Sequence, residues 1–371
     1  MRLYTDTKNT MLSLDDIALL PSSVCSEIES RKNVNPYIND TNLPNNYIKN
    51  RLPIFVSPMT SVVCSENISM FTDAGFIPIL PRIGAFEDRC YFSENNWTAF
   101  SLKEFEQILD DKIPNHIEKM YILVDIANGH MKKLYDLSER AKKEFNNIVL
   151  MVGNIADAHM YEECCKAGVD YVRVGIGGGS VCTTSVQTGI HASLVDIIMQ
   201  INKIRLQYDN PTKAIADGGI NTIDKIVKCL ALGYDYVMVG KLFSQTYAAC
   251  GEIRTHIITA DGSDIYADNN ILSIDKNAVH FSGNFQKAFL ERKYYGMSSE
   301  LGQIDISGGA NKNPEGISTW VQIKWPLPEL KNMIESSLRS AMSYTNSTDL
   351  QTFKDSDFKQ MTHREFELYY K

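Results

Sequence analysis

Eight times along this chain a short apolar run gives way to a more polar stretch, and that alternation restricts the fold more than any other feature. The runs are PIFVS at 53–57, GFIPIL at 75–80, Trp97 to Leu102, Tyr121 to Ala127, Asn147 to Val152, Tyr171 to Val174, Ala214 to Ala216, and VMVGKLF at 237–243. Between them Ser65 to Ala74, Lys103 to Asp111, Met131 to Glu144, Ala156 to Ala167 and Ser193 to Leu206 read as helices. In the last of these, Leu194, Ile197, Ile198, Ile201 and Ile204 fall on one helical face. The pattern predicts the α/β class and a closed (β/α)8 TIM barrel, one domain over 1–371. A chain of 371 residues is long enough to bury such a core.

Bulk numbers narrow the function. Apolar residues make up 44% and charged residues 22%, which is globular and not disordered composition. A formal charge of −8 argues against nonspecific binding to nucleic acid or a membrane surface. No stretch reaches the ~18 consecutive apolar residues of a membrane span. MRLYTDTKNT has no apolar core of a signal peptide. The eight cysteines show neither CxxC nor His/Cys ligand spacing, so zinc is not expected. Seven of them are expected to be buried small hydrophobes in a reducing cytoplasm.

In a barrel, chemistry sits where strands end and loops begin. The stretch DYVRVGIGGGSVCTTSVQTGI (170–190) fits that place: Tyr171 to Val174 runs into Gly175, Gly177, Gly178 and Gly179, and then into Ser180, Cys182, Thr183 and Thr184. Glycines let another group approach the backbone closely, and one thiol stands among hydroxyls. GIGGGS breaks the G-x-G-x-x-G spacing and has no Walker lysine, so the alternatives are a nucleophile loop or a tight turn with an inert cysteine. Asp125, at the end of the fourth run, is either a site carboxylate or the cap of the helix after it. Asp217-Gly218-Gly219, after the seventh run, suits a ribose diol held by carboxylate beside a phosphate on backbone amides; the alternative is an ordinary turn. Residues 22 to 50 read as irregular surface. HIITADGSDIYA (256–267) reads as a hairpin around Asp-Gly, within an insertion of about 252–293 that carries no assignable role. Residues 300–317 form a polar flap, and the tail after about 350 is charged.

GIGGGSVCTT resembles the catalytic loop of the IMP dehydrogenase and GMP reductase family, and the likeness covers roughly residues 10 to 350. LSLDDIALLP (12–21) is similar to a family segment that lies across the barrel floor. SPMT at 57–60 matches the family's serine and methionine. DIANGH at 125–130 matches D-x-A-x-G-H, GN at 153–154 matches G-N-V, and ADGGI with VMVGKLF matches the phosphate grip. YGMSS (295–299) matches GMP reductases, as does Glu315-Gly316. The resemblance implies Cys182 as the nucleophile on C2 of a purine nucleotide, with Thr184, Glu315 and Asp125 as the other catalytic residues. It implies Ser57, Met59, Asn154, Ser180, Asp217, Gly218, Gly219, Gly240, Lys241, Tyr294, Gly296, Met297 and Ser298 around the nucleotide. It also implies potassium on the carbonyls of Gly175 and Gly177, a homotetramer, and a nicotinamide cofactor whose binding residues stay unassigned. The segment from Leu80 to Tyr121 is too short for the paired CBS regulatory domains of most IMP dehydrogenases. Four places depart from the family: Thr60 replaces Asp, Arg82 replaces Lys, and Ser185 and Ala192-Ser193 replace other residues close to the site.

Within the family the sequence favours the reductase. IMP dehydrogenase hydrolyses its covalent intermediate with a mobile flap carrying an arginine, and there is no Arg between Tyr294 and Glu315. The resemblance therefore implies NADPH-dependent reductive deamination of GMP to IMP and ammonia, with NADH left open. IMP dehydrogenase activity, a relative acting on a deoxy or modified purine nucleotide, and a barrel that binds nucleotide without catalysis stay open as alternatives.

Overall fold

The computed structural model describes residues 11–44, 50–111, 117–259, 261–268, 285–309 and 313–369. A short strand β1 (Ile17–Leu19) comes first. Eight parallel strands follow: β2 (Ile54–Val56), β3 (Ile77–Leu80), β4 (Trp97–Phe100), β5 (Met120–Asp125), β6 (Ile148–Ile155), β7 (Tyr171–Val174), β8 (Lys213–Asp217) and β9 (Tyr236–Val239). They close into a barrel when β2 pairs with β9, Phe55 opposite Met238. Helices alternate with the strands around the outside, as the eightfold pattern predicts.

A barrel strand is buried on both faces, so its side chains alternate between two apolar environments. Phe55, Trp97, Tyr121, Leu123, Met151, Tyr171, Ile215 and Tyr236 fill the barrel interior. Their neighbours Val56, Phe100, Ile122, Val124, Val152, Val172, Ala216 and Val237 face the helices. Trp97 and Tyr171 meet edge to face with centroids 5.3 Å apart, and Phe55 lies 6.0 Å from Trp97. These aromatic contacts fill the centre of the tube.

Two terminal segments depart from the sequence reading. Residues 11–20 do not lie across the barrel floor: Leu12, Leu14 and Ile17 join the outer core, and Leu14 carbonyl accepts from Lys228 Nζ at 3.0 Å. The floor is closed by part of the stretch read as irregular surface, with Leu43 in the inner cluster and Ile38 packed against it. Asp40 Oδ2 there accepts from Tyr171 and Tyr236 hydroxyls and from Lys213 Nζ at 2.6 Å. The tail beyond 350 is also structured. Strand β14 (Phe358–Gln360) pairs antiparallel with β1, Ala18 opposite Lys359.

The insertion is a sheet and more than a hairpin. The hairpin of β10 (Ile253–Thr259) and β11 (Asp264–Asp268) is present, Ile257 opposite Ile265. β12 (Phe285–Tyr295) then pairs with β10, and β13 (Ser318–Gln322) pairs with β12, giving the order β11-β10-β12-β13. Residue 260 and residues 269–284 of the insertion, and 310–312 of the flap, lie outside the described residues. At the root of the sheet, Arg292 is buried, has no carboxylate partner among the described residues, and donates to the carbonyls of Thr246, Ala249 and Cys250. Burial pulls its guanidinium down to about 10.

The cysteine reading needs correction. Cys64 and Cys250 form a disulfide across a sequence separation of 186. Asn67 Nδ2 donates to both Val62 and Ala248 carbonyls there, which brings the two loops together. Cys25 is exposed, whereas Cys164 and Cys229 are buried as expected. No helix among the described residues is long and apolar enough to cross a membrane.

Asp40 gives a test of the floor. Burial would raise its pKa, but Lys213 and the hydroxyls of Tyr171 and Tyr236 outweigh that, and the net shift is below the ordinary 3.8. A lowered carboxylate contributes stability above 3.8 that is lost as pH falls through the folded value. Asp40→Ala should cost about 1–3 kcal/mol in urea melts at neutral pH, the penalty of leaving its buried donors unpaired. The gap to wild type should narrow only on the acid side of 3.8.

Candidate active site

The inward parity that carries aromatic and aliphatic residues through the barrel changes character at its C-terminal rim. After Tyr121 and Leu123 the next inward residue on β5 is Asp125; after Tyr171 on β7 it is Arg173; after Ile215 on β8 it is Asp217. Arg173 stands between the carboxylates. One guanidinium nitrogen bonds Asp125 Oδ1 at 2.5 Å, and Nε and the other nitrogen bond Asp217 Oδ2 at 3.1 and 2.8 Å. Asn154 Nδ2 adds a bond to the same Asp217 oxygen at 2.7 Å. On β6 the facing residue is Gly153, where a Cβ would lie 2.5 Å from Arg173 Cβ. Burial alone would disfavour the guanidinium charge, but Asp217 and Asp125 outweigh it and hold Arg173 above its usual pKa.

This rim is the floor of a cavity of about 290 Å³. All the residues expected at the site line it: Cys182, Thr184, Glu315 and Asp125; Ser57, Met59, Asn154, Ser180, Asp217, Gly218 and Gly219; Gly240, Lys241, Tyr294, Gly296, Met297 and Ser298; Gly175 and Gly177. Asp125 is not a helix cap, since Met131 occupies that position before Lys132–Glu144. The glycine loop crosses the end of β8 so closely that a Cβ on Gly175, at φ +129°, would sit 2.1 Å from Asp217 carbonyl oxygen. Only glycine fits there.

Three separate segments meet at the thiol. Cys182 Sγ donates to Thr184 Oγ1 at 3.3 Å, and Thr184 Oγ1 donates to Glu315 Oε2 at 2.8 Å. The backbone fixes the geometry: Thr183 amide donates to Glu315 carbonyl at 2.9 Å, Ile317 amide to Val181 carbonyl at 2.9 Å, and Glu315 amide to Ser298 carbonyl at 3.1 Å. Since β12 ends at Tyr295 and β13 begins at Ser318, the inserted sheet positions both Gly296–Ser298 and Glu315. Tyr294 is buried, which pushes its hydroxyl up, with Ser180 opposing part of the shift. Burial also pushes the thiol of Cys90 up to about 11 and those of Cys164 and Cys229 higher still, leaving these three poor nucleophiles.

The four departures fall in different places. Arg82 lines the cavity, with Nε 3.4 Å from Asp125 Oδ2 but outside hydrogen-bond geometry, so that buried Nε has no hydrogen-bond partner. Ser185 Oγ donates to Gly177 carbonyl at 3.2 Å. Ser193 caps the helix Leu194–Ile204 and donates to Leu12 carbonyl, away from the cavity. Thr60 Oγ1 donates to Asp305 Oδ2 at 2.5 Å. Arg173 itself is the site residue missed in sequence; its signal was a charged side chain on the inward parity of an otherwise apolar strand.

Comparison with known proteins follows the same lines. Residues 115–367 match the profile of the IMP dehydrogenase / GMP reductase domain family. The chain is 26% identical over 353 residues to a GMP reductase of Staphylococcus epidermidis, covering 93% of this chain and 94% of that one. It is 25% identical over 317 residues to a GMP reductase of Helicobacter pylori, covering 83% and 85%. It is 30% identical over 237 residues to an inosine-5′-monophosphate dehydrogenase of Aquifex aeolicus, covering 63% of this chain and 43% of that enzyme's length.

Removing one member of a buried charge set leaves the others uncompensated. Arg173→Met should therefore lower unfolding free energy by about 3–5 kcal/mol in denaturant titrations. The double variant with Asp217→Asn should recover part of that loss.

Proposed function

The chain belongs to the IMP dehydrogenase / GMP reductase family, and within it we propose that it is the reductase, converting GMP to IMP and ammonia at the expense of a reduced nicotinamide. The observation that carries this reading is the line from Cys182 through Thr184 to Glu315, with bonds of 3.3 and 2.8 Å. The absence of arginine from Tyr294 to Glu315 supports it, because water activation by a flap arginine has no residue to perform it. So does the extent of likeness, which runs through 94% of the Staphylococcus epidermidis enzyme.

The nucleotide phosphate is held by the amides of Gly218, Gly219, Gly240 and Lys241 with Ser180, where glycines leave N–H groups open to an anion. Asp217 takes the ribose hydroxyls, its other partners Arg173 and Asn154 keeping it aimed. Met59, Gly296, Met297 and Ser298 flank the base, Ser57 and Asn154 complete the wall, and Tyr294 stands over the phosphate. Cys182 gives its proton through Thr184 to Glu315 and adds to C2. Glu315 returns that proton through Thr184 to the departing amine, so ammonia leaves and the C2–S bond remains. Asp125, held between Arg173 and Arg82, is a hydrogen-bond acceptor beside the reacting centre.

The cavity fits a nicotinamide on one observation: the buried Arg82 Nε without a hydrogen-bond partner is an orphaned donor suited to a carboxamide oxygen. Arg82, Ile126 and Ala127, three of the wall residues not assigned to the nucleotide, would hold it. The chemistry such a group supplies when bound is the hydride that replaces the amine at C2, after which Cys182 is released as thiolate. Potassium fits less well. Gly175 carbonyl already accepts from Asn154 at 2.8 Å and Gly177 carbonyl from Ser185 at 3.2 Å, so no step is assigned to the ion.

Nicotinamide absorbance decides the reaction. GMP with NADPH should show oxidation, tested against NADH in parallel, and IMP with NAD should show no reduction. Reduction with IMP would make the chain a dehydrogenase; silence with both, while either nucleotide binds, would point to another purine or to binding alone. Cys182→Ser should abolish turnover while calorimetry still shows nucleotide binding; a turning-over variant would exclude the covalent route. Glu315→Gln should reduce kcat by about 10²–10⁴-fold, the usual weight of a proton-transfer group.

A further inference from the structure

The helix Glu300–Ser307 is fastened to the barrel by one face. Gly302 and Asp305 are three residues apart and therefore share a side of the helix. At Gly302 the helix lies directly on the turn before it: a Cβ there would be 2.5 Å from Gly296 carbonyl oxygen and 2.6 Å from Met297 Cα. At Asp305, Oδ2 accepts from Thr60 Oγ1 at 2.5 Å and from Tyr295 hydroxyl at 2.8 Å. The backbone amide of Thr60 points at Met297 Sδ, 3.5 Å away. One carboxylate thus joins three segments, and two of them bear cavity residues: Met59 beside Thr60, and Gly296 to Ser298 beyond Tyr295.

Thr60 is also the place where the family pattern has Asp. An aspartate there would put a second carboxylate within hydrogen-bond reach of Asp305, and like charges at that distance repel. A hydroxyl donates where a carboxylate could only compete. In this chain the acid of the pair stands on the flap helix and the hydroxyl on the barrel loop.

We propose that Asp305 is a positioning residue which latches the flap helix to the barrel loop through Thr60 and Tyr295, and so holds Met59 and Met297 in place for the purine base. This rests on reading the cavity as a nucleotide site. A helix seated by its own glycine and bonded by its own carboxylate keeps the base pocket closed throughout turnover. That suits a reaction with no water step and opposes one that needs the flap to move.

The latch and its consequence are read separately. Hydrogen–deuterium exchange of residues 299–309 is measured without nucleotide, and GMP and IMP affinities are measured by calorimetry, with kcat and KM alongside. The enzymes are wild type, Asp305→Asn, Thr60→Asp, and the exchange variant Thr60→Asp with Asp305→Thr. Thr60→Asp should speed exchange in the helix and raise Kd and KM about tenfold or more, the weight of a lost charged hydrogen bond, with kcat within about threefold. Asp305→Asn should do the same to a smaller degree, and the exchange variant should return both readouts toward wild type. Unchanged exchange in Thr60→Asp would overturn the latch. Faster exchange with unchanged affinity, or a fall in kcat alone, would overturn the positioning role. Wild-type enzyme that binds neither GMP nor IMP would instead sink the nucleotide-site reading, and the positioning role with it.

Discussion

The buried set Asp125–Arg173–Asp217 is the interaction on which the site depends. It lies where the barrel interior stops being apolar, so it forms both the lid of the core and the floor of the cavity. A lone guanidinium at that depth would be strongly disfavoured, and so would either carboxylate. Held together by bonds of 2.5 to 3.1 Å, they are mutually compensated. The arrangement fixes two carboxylates as acceptors, apart from the separate hydrogen-bonded line Cys182–Thr184–Glu315.

The inserted sheet extends that logic outward. β12 and β13 pair in register with Tyr295 opposite Ser318, and the chain leaves β12 into Gly296–Ser298 and enters β13 from Glu315. The Gly296–Ser298 turn and Glu315 are thus two ends of one antiparallel pair, rooted by the carbonyl contacts of Arg292. The helix between them is fastened in turn to Thr60 by Asp305. What reads in sequence as an insertion followed by a flap is a continuous support for one wall of the cavity.

Much of this is legible in the sequence. The eight apolar runs gave the barrel because strand burial on both faces demands them, and the glycine-rich loop at a strand end marked where the cavity lies, because glycines let another backbone pass closely. Other features were not legible. Asp40 sits in a stretch with ordinary loop composition, and nothing local marks it as the acceptor for Tyr171, Tyr236 and Lys213 on three barrel strands. The pairing of β1 with β14 joins positions near opposite ends of the chain. Cys64 and Cys250 look like isolated hydrophobes until their loops are brought together.

Local chemistry travels with the sequence: period-two burial, glycine where another backbone passes, a thiol between hydroxyls. From these the chain by itself determined its barrel class, the family it resembles and the neighbourhood of its cavity. Partnership between distant residues does not travel that way, because any of many charged side chains could meet any other until the fold selects. Only the closed barrel decided that Arg173 lies between Asp125 and Asp217, that Glu315 reaches Thr184, and that Asp305 takes up the hydroxyl of Thr60. The physical reason is range: backbone preferences act over a few residues, whereas ion pairs and side-chain hydrogen bonds form only where the tertiary structure sets the distance.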